Sequence, residues 1–417
     1  MDNSKFIIFL IIISAILVFF DAYFLISWTK FSKKRNFKKI TYYVPWFISG
    51  VMLAMSLYST FSRDINEVAD KTSKILFIIS SIWFMPKLLI VPIMILVDLV
   101  KLISYIIIRS IRFIKYQNGT NVLSPYGKYK SIRIIKNIGW VLTIVPFIIY
   151  IHGLLFTTYD YEIKSLVLQM NSLPKSLDGL KVVQISDIHA GSYLDDKPAQ
   201  YFVMMINNLK PDIIAITGDF VNSNPDEFLI VNDELKLLRS EYGVFACLGN
   251  HDHYMNEKQK VKLKELIKNT GIDLLVNENK ILKIKGETLQ IAGIDNSSFQ
   301  LKFGDVNKTL EGLTPGYPTI LLCHDPKMWE NEIMGKTFVD LTLSGHTHAG
   351  QVSLDFTGNY FIPAMWVLKH VAGLYKFKDQ HLYVNVGIGT AGPPIRIGIR
   401  PEITLITLKS VENFTNQ

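Results

Sequence analysis

The stretch Lys181-Val-Val-Gln-Ile-Ser-Asp187-Ile-His189-Ala-Gly191 decides how this chain is read. A mostly apolar run ends there in a carboxylate and an imidazole two positions apart. Side chains at i and i+2 of an extended segment point to one side, so Asp187 and His189 can reach a single cation from the end of a strand. Open α/β sheets place their ligands at such strand ends. The arrangement then recurs. Ile213–Thr217 runs into Gly218-Asp219, Val244–Leu248 into Gly249-Asn250-His251-Asp252, Pro318–Cys323 into His324-Asp325, and Val339–Leu343 leads to Gly345-His346-Thr347-His348.

Between these turns the pattern is that of a mixed α/β domain. Tyr161–Leu168 alternates polar and apolar residues as a strand with one solvated face does, and Leu180–Ser186 reads as a buried strand. Pro198–Leu209 carries apolar residues at helical spacing, making a strand, helix, strand unit with 213–217. Helices are expected at Asn232–Leu238 and Glu257–Lys268, and further strands at 281–285, 288–294, 351–355, 382–386 and 403–408. Cys247 and Cys323, the only cysteines, sit inside apolar runs and form no metal or disulfide pattern.

Five of the nine histidines lie in the strand-end turns. Carboxylate, imidazole and amide oxygen together suit borderline divalent ions such as Mn²⁺, Fe²⁺ or Zn²⁺ over Ca²⁺ or Mg²⁺. Seven donors, Asp187, His189, Asp219, Asn250, His324, His346 and His348, exceed what one ion needs. Two ions about 3.5–4 Å apart, bridged by one carboxylate, would use them all and form a clamp for phosphoryl transfer. Asn222 and Asp325 also read as turn residues, and His253 reads equally as part of the site or as a solvated neighbour of the His251 and Asp252 pair.

In order and without departure, these turns match the signature of the calcineurin-like metallophosphoesterases: Asp-x-His, Gly-Asp, Gly-Asn-His-Asp, a lone His and Gly-His-x-His. The resemblance covers about 180–410. It implies a four-layer α/β/β/α sandwich, with one ion held by Asp187, His189, Asp219 and His348. A second ion would be held by Asp219, Asn250, His324 and His346, making Asp219 the bridge. It further implies attack on phosphorus by a hydroxide bridging the ions, with His251, oriented by Asp252, protonating the leaving oxygen. An amide oxygen at Asn250 adds a ligand without charge, and His251 adjoins the cluster without being needed as a ligand.

The tail Tyr383–Thr404 holds a glycine-rich turn between two strands. It resembles the same segment in membrane-anchored family members, some of them similar to the UDP-diacylglucosamine pyrophosphatases. Arg396 or Arg400 could contact phosphate there, Arg396 being the substrate-binding candidate, with a structural hairpin as the other reading. Tyr360–Tyr375 is unusually apolar for a segment after a ligand turn, and reads as one wall of a hydrophobic cleft or as packing on the sheet.

The first 157 residues differ in kind. Nineteen Lys and Arg stand against six Asp and Glu there, while the remainder is net acidic, so the overall charge of +8 does not indicate nucleic-acid binding. The basic excess sits between apolar segments, where it encodes topology. Phe6–Trp28, Tyr43–Phe61, about 75–108 and Ile138–Phe156 are each of membrane-spanning length, and the basic stretch after the first resembles a retained anchor's flank more than a cleavage site. The loops at 30–39 and 109–137 are basic and therefore cytoplasmic. Four spans would then place the carboxy-terminal part outside, whereas a re-entrant third span would reverse this. Asp21, Lys87 and Asp98 fall within or near apolar segments, where they can pair or snorkel.

The expectation is a multi-pass inner-membrane protein, residues 1–157, carrying a two-metal phosphoesterase domain, 158–417. Its substrate would be a phosphodiester or pyrophosphate in a lipid or lipid-linked molecule, with membrane lipids as its other partners. Two other readings are a phosphatase or nucleotide hydrolase acting on soluble compounds, and a sensor or transporter regulated by the phosphoesterase domain.

Overall fold

The computed structural model describes residues 3–66, 71–117, 143–298, 302–356 and 359–411. Two compact units result, one built from Asp2–Phe61 and Ile75–His152, the other from Gly153–Gln417 with Ser62–Lys74 grouped to it.

The helical unit draws on α1 (Asn3–Lys34), α2 (Ile40–Asn66), α3 (Lys71–Phe84), α4 (Lys87–Gln117) and the first part of α5 (Ile144–Leu155), whose last turn from Gly153 belongs to the other unit. Three stretches among the described residues are long and apolar enough to cross a membrane: Ser14–Lys34, Ile40–Thr60 and Lys71–Ile107. The third is broken at Met85-Pro86, where proline lacks an N–H and keeps the preceding residue out of helical geometry. Of the fourth expected span, 138–142 lies outside the described residues, and the helix that follows has 12 residues. Large apolar side chains such as Phe47 and Ile93 face outward, as in a helix solvated by lipid. Inside, the Lys87 ammonium is ion-paired with Asp21, whose other oxygen accepts from the Ser49 hydroxyl. The Trp83 ring lies 3.7 Å from that ammonium. Asp98 is paired instead with Lys101 and accepts from Tyr23 Oη at 2.8 Å.

The second unit is a sandwich of two six-stranded sheets. The first runs β1 (Glu162–Met170), β14 (Glu402–Ser410), β2 (Lys181–Ile185), β3 (Ile213–Thr217), β4 (Val244–Cys247) and β5 (Asp273–Leu274). Strands β2 to β5 are parallel. The second runs β12 (Gly373–Phe377), β13 (Gln380–Val384), β9 (Leu341–Ser344), β8 (Thr319–Leu322), β7 (Glu287–Gly293) and β6 (Glu278–Ile284). It is parallel from β13 to β7, with antiparallel strands at both edges. A short hairpin, β10 (Leu354–Phe356) with β11 (Asn359–Phe361), stands apart.

The four layers follow from strands that bury both faces, which is why β2 and β3 read as mostly apolar runs. Val182, Ile213, Phe245, Ile291, Leu322 and Leu343 interdigitate between the sheets. On the outer face of the first sheet, Val183, Ile185 and Ile216 meet two helices, α6 (Lys197–Asn208) and α7 (Glu257–Lys268). Helix α6 offers Ala199, Phe202, Val203 and Ile206, the i, i+3, i+4, i+7 stripe expected of it. Helix α7 is started by a capping box between Asn256 and Gln259. The outer face of the second sheet is covered by a helical segment around Met328, Trp329 and Ile333.

Several expected elements are altered. The helix at Asn232–Leu238 shortens to Asn232–Leu235 behind a 3-10 segment, Pro225–Ile230. In place of a strand at 351–355 the chain makes a turn at His348–Gln351 and then the β10 hairpin. Strands β5 and β12 were not anticipated, since a two-residue strand and an exposed edge strand carry little apolar signal.

Candidate metal centre

The parallel strands of both sheets release their carboxyl ends toward the same place. Asp187 follows β2, Asp219 follows β3, Asn250 follows β4, His324 follows β8, and His346 and His348 follow β9. Backbone conformation then aims the side chains. Asp187, His189, Asp219, His346 and His348 all have φ between 46° and 72°, the left-handed region that costs an L-residue about 1–2 kcal/mol. Strain of this kind gathers at functional sites, where the surrounding structure must enforce it. The neighbouring glycines are dictated by the same crowding: a Cβ on Gly249 would overlap the Asp219 carboxylate, and one on Gly345 the Asp187 carboxylate.

The expected ligands converge as two sets sharing one carboxylate, and His251 lies with His189 and Asp219 within the same reach. In the first, His348 Nε2 lies 3.2 Å from Asp187 Oδ1 and 3.1 Å from His189 Nε2, with Asp219 Oδ2 3.6 Å from His189 Nε2. In the second, His324 Nε2 lies 3.1 Å from Asp219 Oδ2 and 3.2 Å from Asn250 Oδ1. Asp219, His324 and His346 offer ligand atoms all within 4.8 Å of one another. Every expected ligand is therefore brought together, and all are buried except His346, which is half-buried.

Distal contacts orient these groups as metal ligands require. His189 Nδ1 meets Asn222 Oδ1 at 2.8 Å, and His324 Nδ1 meets the Thr217 carbonyl at 2.7 Å. Both imidazoles thus donate through Nδ1 and turn Nε2 toward the centre. Asn250 donates its amide to Tyr254 Oη at 2.9 Å, which turns Oδ1 inward. The donor set, its ring tautomers and its strained turns fit a pair of divalent cations.

The electrostatics point the same way. Burial would raise Asp187, but the His348 and His324 imidazoles hold its carboxyl below the usual range. Asp219 is likewise held low by His324 and His251 against burial. Burial, then the charge of His251, lowers His189 to about 3. Burial, then His324, lowers His346 to about 4. Burial disfavours charge on His324 too, yet the Asp219 carboxylate raises it to about 10. Two buried carboxylates thus recruit a proton onto His324, and cation binding would release it.

Three expected roles change. Asp252 does not orient the His251 ring. Its carboxylate accepts the backbone N–H groups of Asp219, Phe220 and Gly249, each at 2.9 Å, and so ties two ligand turns together. The His251 ring is held by the Asn222 carbonyl, 2.7 Å from Nδ1, and stands edge-on to His189 with centroids 4.7 Å apart. Asn222, which sequence marks only as a polar residue three positions after Asp219, thus serves both histidines. Arg396 is fully buried, its guanidinium donating to the carbonyls of Val386, Gly387 and Gly389. No surface remains for substrate, and the guanidinium closes the glycine-rich turn on itself. His253 is not solvated: Nε2 lies 2.7 Å from Asp295 Oδ1 and the ring stacks on Phe303. Asp325 caps the short helix at Pro326–Met328.

The chain also matches known families and proteins. Residues 180–350 match the profile of the calcineurin-like phosphoesterases. Residues 4–158 match that of a probable calcineurin-like phosphoesterase transmembrane domain, which with the three apolar helices makes this a membrane protein. The uncharacterized metallophosphoesterase YkuE of Bacillus subtilis is 33% identical over 268 residues, 63% of this chain and 88% of that one. The transmembrane protein with metallophosphoesterase domain of Bos taurus is 31% identical over 278 residues, 64% of this chain, and the match spans 61% of that relative's length. The phosphodiesterase YaeI of Escherichia coli is 28% identical over 230 residues, 55% of this chain and 82% of its own. With five signature turns folded into one buried centre, and a relative matched along most of its length, the chain belongs to the calcineurin-like metallophosphoesterase family.

Proposed function

We propose that this protein is a membrane-bound two-metal hydrolase of a phosphodiester or pyrophosphate bond in a lipid or lipid-linked substrate. The observation that carries the chemistry is Asp219, whose carboxylate is shared between two sets of Asp and His donors. Asp187, His189, Asp219 and His348 would hold one cation, and Asp219, Asn250, His324 and His346 the other. Bound there, the pair supplies Lewis-acid charge and lowers the pKa of coordinated water. Ion identity follows from the donors, and Mn²⁺, Fe²⁺ and Zn²⁺ suit them.

The chain's own residues then do the rest. His251 is half-buried beside the centre and not needed as a ligand. The Asn222 carbonyl fixes its ring through Nδ1, leaving Nε2 to meet the substrate and give its proton to the departing oxygen. Asn222 Oδ1 sets His189 at the same time, so one residue aligns a ligand with the general acid.

Residues 1–157 would anchor the domain in the inner membrane as several passes, and 158–417 would carry out the reaction. The basic loops at 30–39 and 109–137 support a cytoplasmic placement for those loops and an outer placement for the catalytic part. Anchoring supports a lipid-phase substrate, because a tethered centre samples the bilayer surface continuously. Purified protein in Mn²⁺ should hydrolyse bis-p-nitrophenyl phosphate, and Asp219→Ala or His251→Ala should reduce this to background. Full activity in both variants would overturn the assignment. A reporter fused after Gln417 tests the orientation, and signal from the cytoplasm would reverse it.

A further inference from the structure

One surface feature of the phosphoesterase unit is left unused by this chemistry. The turn Pro363–Trp366, which follows the ligand turn and the β10–β11 hairpin, presents Met365, Trp366 and Val367 at 53%, 79% and 85% exposure. Consecutive large apolar side chains this exposed are costly in water, and they mark an interaction surface. The turn is braced, not loose. The Trp366 ring stands edge-on to Phe361 with centroids 5.3 Å apart. Ala364 and Leu368 pack into a small core with Ala349 of the ligand turn.

We propose that Met365-Trp366-Val367 inserts into the lipid–water interface of the bilayer that carries this chain, seating the metal centre at the membrane surface. The shape argues for lipid: the turn is a convex apolar tip, which a fluid surface accepts without a matching groove. Its composition argues the same way, since tryptophan, with an apolar ring and one N–H, concentrates at membrane interfaces. Continuity within the unit identifies the bilayer. Ala364 abuts Gly350, where a Cβ would lie 3.2 Å from the alanine methyl. The next residue, Gln351, accepts from Ile397 N–H at 2.9 Å, and Val352 bridges to Ile397. Ile397 in turn lies against Gly153, in the last turn of the apolar helix α5, where a Cβ would also come within 2.6 Å of the Arg396 carbonyl. Leu155, which ends that helix, is itself 60% exposed. The bridge between Val352 and Ile397 therefore links the exposed tip to the last turn of an apolar helix.

The test uses the full chain in nanodiscs of phosphatidylethanolamine and phosphatidylglycerol. Cys247 and Cys323 are buried, so a spin label on Trp366→Cys reports that position alone. Ile281→Cys, 50% exposed on edge strand β6, is the control. Thermal midpoints matching the unsubstituted protein establish that both variants are folded. Accessibility to oxygen relative to an aqueous nickel chelate should be several-fold higher at 366 than at 281. Equal ratios would overturn the proposal. So would a label at 366 shielded from both reagents, which would assign the turn to a protein contact. Neither readout depends on hydrolysis, so the result stands apart from the fate of the assigned reaction.

Discussion

Two buried clusters of charge in this protein have opposite characters. In the helical unit, Asp21, Lys87 and Ser49 form a closed set: one cation, one anion, a hydroxyl, and an aromatic ring over the ammonium. In the phosphoesterase unit, two carboxylates, an amide and four imidazoles crowd together, and five of those seven residues sit in strained backbone. The first cluster satisfies itself and needs nothing further. The second gathers more donors than a closed ion pair uses, in the mix of carboxylate, imidazole and amide that divalent cations suit. Burial and charge are shared by the two sites; complementarity separates a structural tie from a reaction centre.

The comparison can be broken by substitution. Asp219→Ala removes the carboxylate common to both donor sets, and phosphodiesterase activity should fall to background while the far-ultraviolet circular dichroism is kept. His251→Gln should lower kcat by about 10²–10⁴-fold with metal content unchanged in elemental analysis, since His251 is assigned no ligand role. Metal loss in that variant would contradict the assignment.

In the helical unit, Lys87→Met alone should destabilise by about 3–5 kcal/mol, because Asp21 is left buried and unpaired. The double variant Asp21→Leu/Lys87→Met should recover most of that loss in detergent-based thermal unfolding. If the double variant is as unstable as the single one, the cluster does more than balance charge. Asn222→Ala should weaken metal binding or activity by about 10–100-fold, the usual cost of losing a group that orients a ligand. Titration of the chelated protein with Mn²⁺ would measure it.

The smallest effect is in pH. In chelator-treated protein, His189 at about 3 and His346 at about 4 stay neutral when folded, while the unfolded chain takes up protons below about 6.5. Their contribution is present above that value and is lost as pH falls. His324, raised to about 10, contributes below about 6.5, and that contribution is lost as pH climbs toward 10. The thermal midpoint of the chelated protein should therefore peak near pH 6.5. A midpoint that rises steadily from pH 5 to 9 would contradict the proton placed on His324.

Much of the centre was legible because strand ends leave local signatures. A buried strand is an apolar run, a tight strand-to-loop turn asks for glycine, and ligands follow at once, so Gly218-Asp219 and Gly345-His346-Thr347-His348 could be read directly. Roles that depend on distant backbone leave no such local mark. Asp252 lies beside His251 in sequence, yet its carboxylate turns to the N–H groups of another turn. Arg396 had the chemistry of a phosphate ligand, but the carbonyls that enclose it come from the glycine turn several residues earlier.

By itself, the sequence determined the class of each segment, the order of the ligand turns and the membrane character of the first half, since hydrophobic period and turn chemistry act over a few residues. Only tertiary structure decided that two sheets would aim those turns at one point and that Asp219 would lie between two donor sets. It also decided that Asn222 would hold both His189 and His251. These are contacts between residues tens to more than a hundred positions apart, and they exist only once packing between the sheets has fixed the register of every strand.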